Sequence, residues 1–88
     1  MFSIKSYSEK TPNANCMQVE FPGLTVYFSY QTPVAFSCDG KLVVRKNDWG
    51  PTTGKHLGWL DGGNKKNRLP AKEFQEQLEK AWDSVRSN

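Results

Sequence analysis

The stretch Cys16-Met17-Gln18-Val19-Glu20-Phe21-Pro22-Gly23-Leu24-Thr25-Val26-Tyr27-Phe28-Ser29-Tyr30 decides the fold. Met17, Val19 and Phe21 alternate with Gln18 and Glu20, and Leu24, Val26, Phe28 and Tyr30 alternate with Thr25, Tyr27 and Ser29. A period of two is that of a strand with one face on a core. Pro22-Gly23 between the runs is turn chemistry, so they read as two antiparallel strands. Downstream, residues 34–38 read as a third short strand. Asp39-Gly40 then leads into a fourth at residues 42–45, because Asp-Gly between apolar runs favours a two-residue hairpin. Upstream, residues 2–7 read as a possible edge strand, and the polar, turn-prone residues 8–13 as a mobile loop.

After Asn47 the pattern changes. Pro51 suits a first helical position, and Thr53, Leu57 and Leu60 are spaced to share a helix face. Gly54 and Gly58 each cost about 1 kcal/mol against Ala there, so this helix is expected to form only against the sheet. Gly62-Gly63-Asn64 stops it. Residues 65–69 read as a short returning strand. Pro70 then opens a better helix, with Phe74, Leu78, Ala81, Trp82 and Val85 on one stripe. Lys72 with Glu76 and Glu76 with Lys80 are attractive pairs on its outer face. The expectation is a single α+β domain over residues 1–88, partly mobile over 1–15. It is a small antiparallel β-meander of three to five strands, packed by a short central helix and an amphipathic C-terminal helix.

At 88 residues and 36% apolar composition, the chain can form one small core, burying about 60–65% of its unfolded surface. No apolar run approaches the ~20 residues that cross a bilayer, and no basic stretch followed by an apolar core opens the chain. It reads as soluble and cytoplasmic. Cys16 and Cys38 read as free thiols, with Cys16 on the polar face beside Gln18 and Glu20 and Cys38 on the apolar face with Val34 and Phe36.

Charge is concentrated. Residues 45–69 carry six basic side chains (Arg45, Lys46, Lys55, Lys65, Lys66, Arg68) against Asp48 and Asp61, five of the seven glycines, and Trp49 and Trp59, while the remainder is slightly negative. Interleaved cations and indoles suit a polyanion, because Lys and Arg displace counterions from phosphates and aromatic faces stack on bases. Two buried tryptophans among turn glycines and solubilising lysines would read the same way.

Other chemistries fit less well. Gly50-Pro51-Thr52-Thr53-Gly54-Lys55-His56 departs from the phosphate loop G-x-x-x-x-G-K-[ST]. One residue is missing between the glycines, His56 replaces the hydroxyl residue, and Pro51 removes an amide. His56, Cys16 and Cys38 match no metal-ligand spacing, and His56 reads as a surface or capping residue. With no acid/base pair or activated nucleophile legible, no enzyme activity, metal or cofactor is expected.

The strings Ser29-Tyr30-Gln31-Thr32-Pro33-Val34-Ala35 and Trp49-Gly50-Pro51-Thr52-Thr53-Gly54-Lys55-His56 resemble a small uncharacterised domain of tailed bacteriophage and bacterial genomes, with the pattern S-Y-x-T-P-V-A followed by W-x-x-T-T-x-K-H. The resemblance covers about residues 24–82, leaving the first twenty or so outside. It implies a phage-like origin and brings no assigned activity. It also draws attention to Tyr30, Thr32, Trp49, Thr52, Thr53, Lys55 and His56, which in this fold are expected to gather at one end of the sheet. The functional expectation is a small binding protein that contacts nucleic acid through Arg45, Lys46, Trp49, Lys55, His56, Trp59, Lys65, Lys66 and Arg68. Tyr30, Thr32, Thr52 and Thr53 form an accompanying polar cluster. The alternatives are a module that binds and modulates a host protein, and an oligomeric sponge for a phosphate-bearing small molecule.

Overall fold

A computed structural model describes residues 3–9 and 11–86. It is an α+β fold in which five antiparallel strands run as a meander in the order β1-β2-β3-β4-β5. The strands are β1 (Ser3–Ser6), β2 (Cys16–Phe21), β3 (Leu24–Ser29), β4 (Thr32–Cys38) and β5 (Lys41–Val44). Two helices follow, α1 (Pro51–Asp61) and α2 (Ala71–Arg86), with a 3-10 turn at Lys65–Asn67 between them. Phe2, expected to begin the edge strand, and Lys10, in the expected loop, lie outside the described residues.

The hairpins follow the turn chemistry. Asp39 and Gly40 take φ of 53° and 77°, the left-handed pair that matches the twist of a two-residue hairpin. Less expected is Tyr30, with φ of 58° at the β3–β4 turn. That region is uncommon for a bulky residue. Tyr30 is held there by its N–H donating to the Asn15 carbonyl at 2.7 Å.

The helices take opposite faces of the sheet. On the α2 face, Leu24, Val26 and Phe36 are buried with Phe74 and Ala81, and Phe21, Phe28, Cys38, Val43, Leu78 and Val85 pack around them. On the α1 face, Val34, Ala35, Val44 and Leu57 form a second buried cluster with Tyr27 and Leu60 against it. A bulge in β4 supplies that second cluster. Tyr27 pairs with Ala35 but Phe28 with Pro33, so Val34 is an extra residue and the alternation changes phase. Val34 therefore leaves the face of Phe36, where simple alternation placed it, and joins Ala35 under α1.

Cys16 and Cys38 are free thiols and do lie on opposite faces, but with burial the reverse of that expected. Cys16 is fully buried and Gln18 nearly so, whereas Cys38 is half-buried. At its Cys16 end this face of β2 is closed over by Ser6, whose Oγ lies 3.6 Å from the thiol, and by the Asn13 carbonyl at 3.5 Å, so alternation located the side chain without locating solvent. Residues 65–69 also depart from the expected strand. The 3-10 turn precedes a single parallel bridge between Arg45 and Leu69. In it the Leu69 N–H donates to Val44 and the Lys46 N–H to Leu69, each at 2.8 Å.

The expected helix stripes form. Pro51 stands at the start of α1 after Gly50, and the Gly62 N–H closes its end on the Gly58 carbonyl. On α2, Phe74 and Ala81 are buried, while Trp82 keeps 42% of its surface exposed and meets Phe21 edge-on at 5.3 Å. Phe74→Ala is expected to cost about 3–5 kcal/mol through transfer and cavity terms, a large part of the stability of so small a domain. Gly40→Ala should cost about 1–2 kcal/mol through its left-handed φ. Urea denaturation of both variants checks these values.

Candidate functional site: a basic face around helix α1

The β5–α1 connection is folded by its own side chains. Asn47 accepts from the Trp49 N–H at 2.9 Å and donates to the Gly50 carbonyl at 3.1 Å. This sets Trp49 outward, 45% exposed. The Arg45 guanidinium carbon sits over its indole, 4.4 Å from the ring centre, and Arg45 donates to Asp48 at 3.0 Å. The Arg45 Nε is buried without a partner among the described residues. The cation–π contact holds that guanidinium in place.

Arg68 is turned inward. Its Nε and Nη2 donate to the two oxygens of Asp61 at 2.7 and 3.0 Å, with only 5% and 9% of the two side chains exposed. Burial alone would raise the Asp61 pKa. The Arg68 hydrogen bonds, the Gly63 N–H and the guanidinium charge outweigh it and hold the carboxyl below its usual 3.8. This pair ties the end of α1 to the segment that returns along β5. It also fixes the 3-10 turn carrying Lys65 and Lys66, both exposed.

His56 is a core residue, 1% exposed, not the surface or capping histidine expected. Its Nδ1 shares a 2.8 Å hydrogen bond with Ser29 Oγ, which also meets Thr53 Oγ1 at 3.0 Å. Around the imidazole stand Trp59 at 5.5 Å, Tyr30 at 6.0 Å and Tyr7 at 6.3 Å between ring centres. Lys55 Nζ sits 5.7 Å from the Trp59 ring centre. Ser29 with His56 has the reach of a nucleophile and its base. Yet Ser29 is 3% exposed, and neither residue lines any of four of the better-formed clefts among the described residues. The trio acts as a satisfied buried polar network.

Tyr30, Thr53, Lys55, His56 and Trp59 are thus brought together, and Ser29 and Tyr7 complete the group. The sequence offers no site signal at Tyr7, and at Ser29 only a hydroxyl donor near the basic segment, in the quoted string beside Tyr30. Thr32 is half-buried at the start of β4 and Thr52 is exposed on α1; neither side chain joins the network. Lys46, Lys55, Lys65 and Lys66 are exposed and form no ion pair among the described residues. Lys46, Lys65 and Arg68 share a cleft of about 580 Å³ with Asn47, Pro51 and Gly54. Across the sheet, a wider apolar groove of about 670 Å³ runs between α2 and β2–β4, lined by residues that include Val19, Phe21, Phe28, Pro33, Leu78 and Trp82. Among the described residues no three His, Cys, Asp or Glu side chains gather as a metal site would need. No helix among them is long and apolar enough to cross a membrane.

The His56 pKa lies below its usual 6.5, first because burial penalises the imidazolium and second because of the Lys55 charge. The unfolded chain therefore takes up a proton near pH 6.5 that the folded chain refuses. The stability supplied by the neutral imidazole is full above that pH and is lost as pH falls below it. Denaturation between pH 7.5 and 5 should show this loss, and His56→Asn should flatten it. The Asp61 contribution is full above the usual carboxyl value of 3.8 and is lost as pH falls from there through its depressed pKa. Asp61→Ala at pH 7 should cost about 3–5 kcal/mol by stranding Arg68, and Asp61→Leu combined with Arg68→Met should cost less. A double-mutant cycle by urea denaturation measures the difference.

Comparison with known proteins returned no matching curated protein and no matching solved structure. Residues 2–76 match a family of unknown function (DUF8033). The match takes in β1 and β2, which the resemblance drawn from the two strings left outside, and it stops within α2. The five-stranded meander and its α1 face, the part of the molecule that carries the lysines and the His56 network, are therefore those of a DUF8033 domain, and the chain belongs to that family.

Proposed function

We propose that this is a small non-catalytic binding protein of phage type, acting in the host cytoplasm, whose α1 face holds nucleic acid through its phosphates. The observation that carries the reading is the set of four exposed lysines, Lys46, Lys55, Lys65 and Lys66, without ion-pair partners among the described residues. They stand on the side of the sheet that also displays Trp49. Four such cations displace counterions on meeting a polyanion, and an exposed indole adds sequence-tolerant stacking. Arg68 serves through position, by fixing the 3-10 turn, and Arg45 by bracing Trp49.

Intrinsic tryptophan fluorescence during titration with short single- and double-stranded oligonucleotides tests the reading. For duplex DNA, the logarithm of the association constant should fall with that of salt concentration with a slope of about −3.6, as four neutralised phosphates require. Lys65→Glu with Lys66→Glu should abolish binding while leaving the thermal midpoint close to that of the parent. Unchanged affinity in that variant, with the fold intact, refutes the proposal. Trp49→Phe should remove most of the quenching.

The apolar groove favours a second reading, a host protein docking an amphipathic helix on the opposite face. The sheet is about 19 Å wide and α2 about 10 Å, so the strip left open is one helix across. Glu79 on its rim suits a basic flank, while Asp83 beside it is paired with Arg86 at 3.1 Å. Leu78→Glu would block such a partner and leave oligonucleotide binding untouched.

A further inference from the structure

We propose that the cleft between the β5–α1 connection, the first turn of α1 and the 3-10 turn is a seat for a phosphomonoester, the group carried by a free nucleotide or by the 5′ end of a strand. The cleft measures about 580 Å³ and is lined by Lys46, Asn47, Pro51, Gly54, Lys65 and Arg68, with no carboxylate among them. That volume lies within the ordinary range of small-molecule sites.

Three independent features converge on an anion. Lys46 and Lys65 bring two charges from two different segments, and neither is offset by an acid among the described residues. Arg68 is 6% exposed, so it is a built part of the wall. Asp61 takes the Nε hydrogen and one of the two Nη2 hydrogens, which leaves the other Nη2 hydrogen and both on Nη1 without a hydrogen bond among the described residues. Since Arg68 lines the cleft, those three hydrogens are the donors it can offer there. The third feature is the start of α1. Gly50 caps it with no side-chain hydrogen bond, and no acid stands in its first turn. Pro51 has no N–H and the Gly54 N–H is taken by the Gly50 carbonyl, so what the helix start brings to the cleft, at Pro51 and Gly54, is the positive end of its dipole.

Charge selects the ligand. Asp61 already balances Arg68, so the cleft offers two uncompensated lysine charges plus neutral donors. A phosphomonoester carries nearly two negative charges at pH 7, and a backbone diester only one. Gly54 keeps the space open. A Cβ there would come within 3.0 Å of Asn47 Nδ2, the group that ties the β5–α1 connection to Gly50.

The proposal rests on the nucleic-acid reading only where the strand end is the source; the free nucleotide arm is independent of it. Isothermal titration of the full chain with adenosine 5′-monophosphate, and with an eight-residue oligothymidylate with and without a 5′ phosphate, separates the two. Adenosine 5′-monophosphate should bind, and the 5′ phosphate should tighten the oligonucleotide at least fivefold. Lys46→Glu and Lys65→Glu should each weaken adenosine 5′-monophosphate at least tenfold. Lys41→Glu, the same charge change at the β4–β5 turn, should weaken it no more than twofold. Gly54→Ala, which leaves every cation in place, should also weaken it. Equal binding of the two oligonucleotides, with no adenosine 5′-monophosphate binding, overturns the seat and leaves the nucleic-acid reading standing. Adenosine 5′-monophosphate binding with neither oligonucleotide bound supports the seat and removes the nucleic-acid reading. An equal loss from Lys41→Glu reduces the effect to general attraction and overturns the seat.

Discussion

A helix about 10 Å wide cannot cover a five-stranded sheet about 19 Å wide, and the rest of this molecule follows from that mismatch. The chain places one helix on each face, and each face keeps an uncovered strip. On the α1 side the strip is polar. Lys5 pairs with Glu20 at 3.2 Å, Gln18 donates to Glu20, and Ser3 does the same. On the α2 side the strip is apolar, with Ile4 opposite Val19 and Met17 opposite Phe28 in the register of neighbouring strands. Solvent meets a hydrogen-bonded surface on one face and a hydrophobic groove on the other.

Covering both faces sets a demand that simple alternation cannot meet. A strand that alternates apolar and polar residues suits one buried face, whereas β4 must feed two. The extra residue at Val34 resolves this by turning two consecutive apolar side chains, Val34 and Ala35, toward α1 while Pro33 and Phe36 remain on the α2 side. Helix α1 is a weak helix by composition, with two internal glycines. It is held by Leu57 in that second cluster, by Thr53 and His56 on Ser29, and by Asp61 on Arg68. Polar contacts thus carry much of what an apolar stripe carries for α2.

The positions of the lysines are a consequence of this scheme. Arg68 is consumed internally, and by being buried it anchors the 3-10 turn that presents Lys65 and Lys66. Arg45 is likewise engaged, over Trp49. The apparent run of six cations therefore divides into two that build the surface and four that face solvent. A buried guanidinium bound through one edge still has donors on the other, so a structural residue can also serve a cleft.

The sequence alone determined the periodic elements: the β2–β3 hairpin from strict alternation around Pro22-Gly23, the β4–β5 turn from Asp39-Gly40, and α2 from its 3.6-residue stripe. These are local, since neighbouring side chains and backbone angles carry the information. The concentration of charge in residues 45–69 was legible for the same reason. The tertiary structure alone decided which faces are buried. Cys16 and His56 are polar or weakly apolar residues whose burial depends on what lies across the sheet, and no local pattern contains that. The bulge at Val34 and the Asp61–Arg68 pair were equally invisible, because one residue of phase and one ion pair seven residues apart acquire meaning only when strands and turns are docked. Ser29 could be noticed as a hydroxyl, but its place beside His56, twenty-seven residues on, is fixed by the packing of α1 on the sheet.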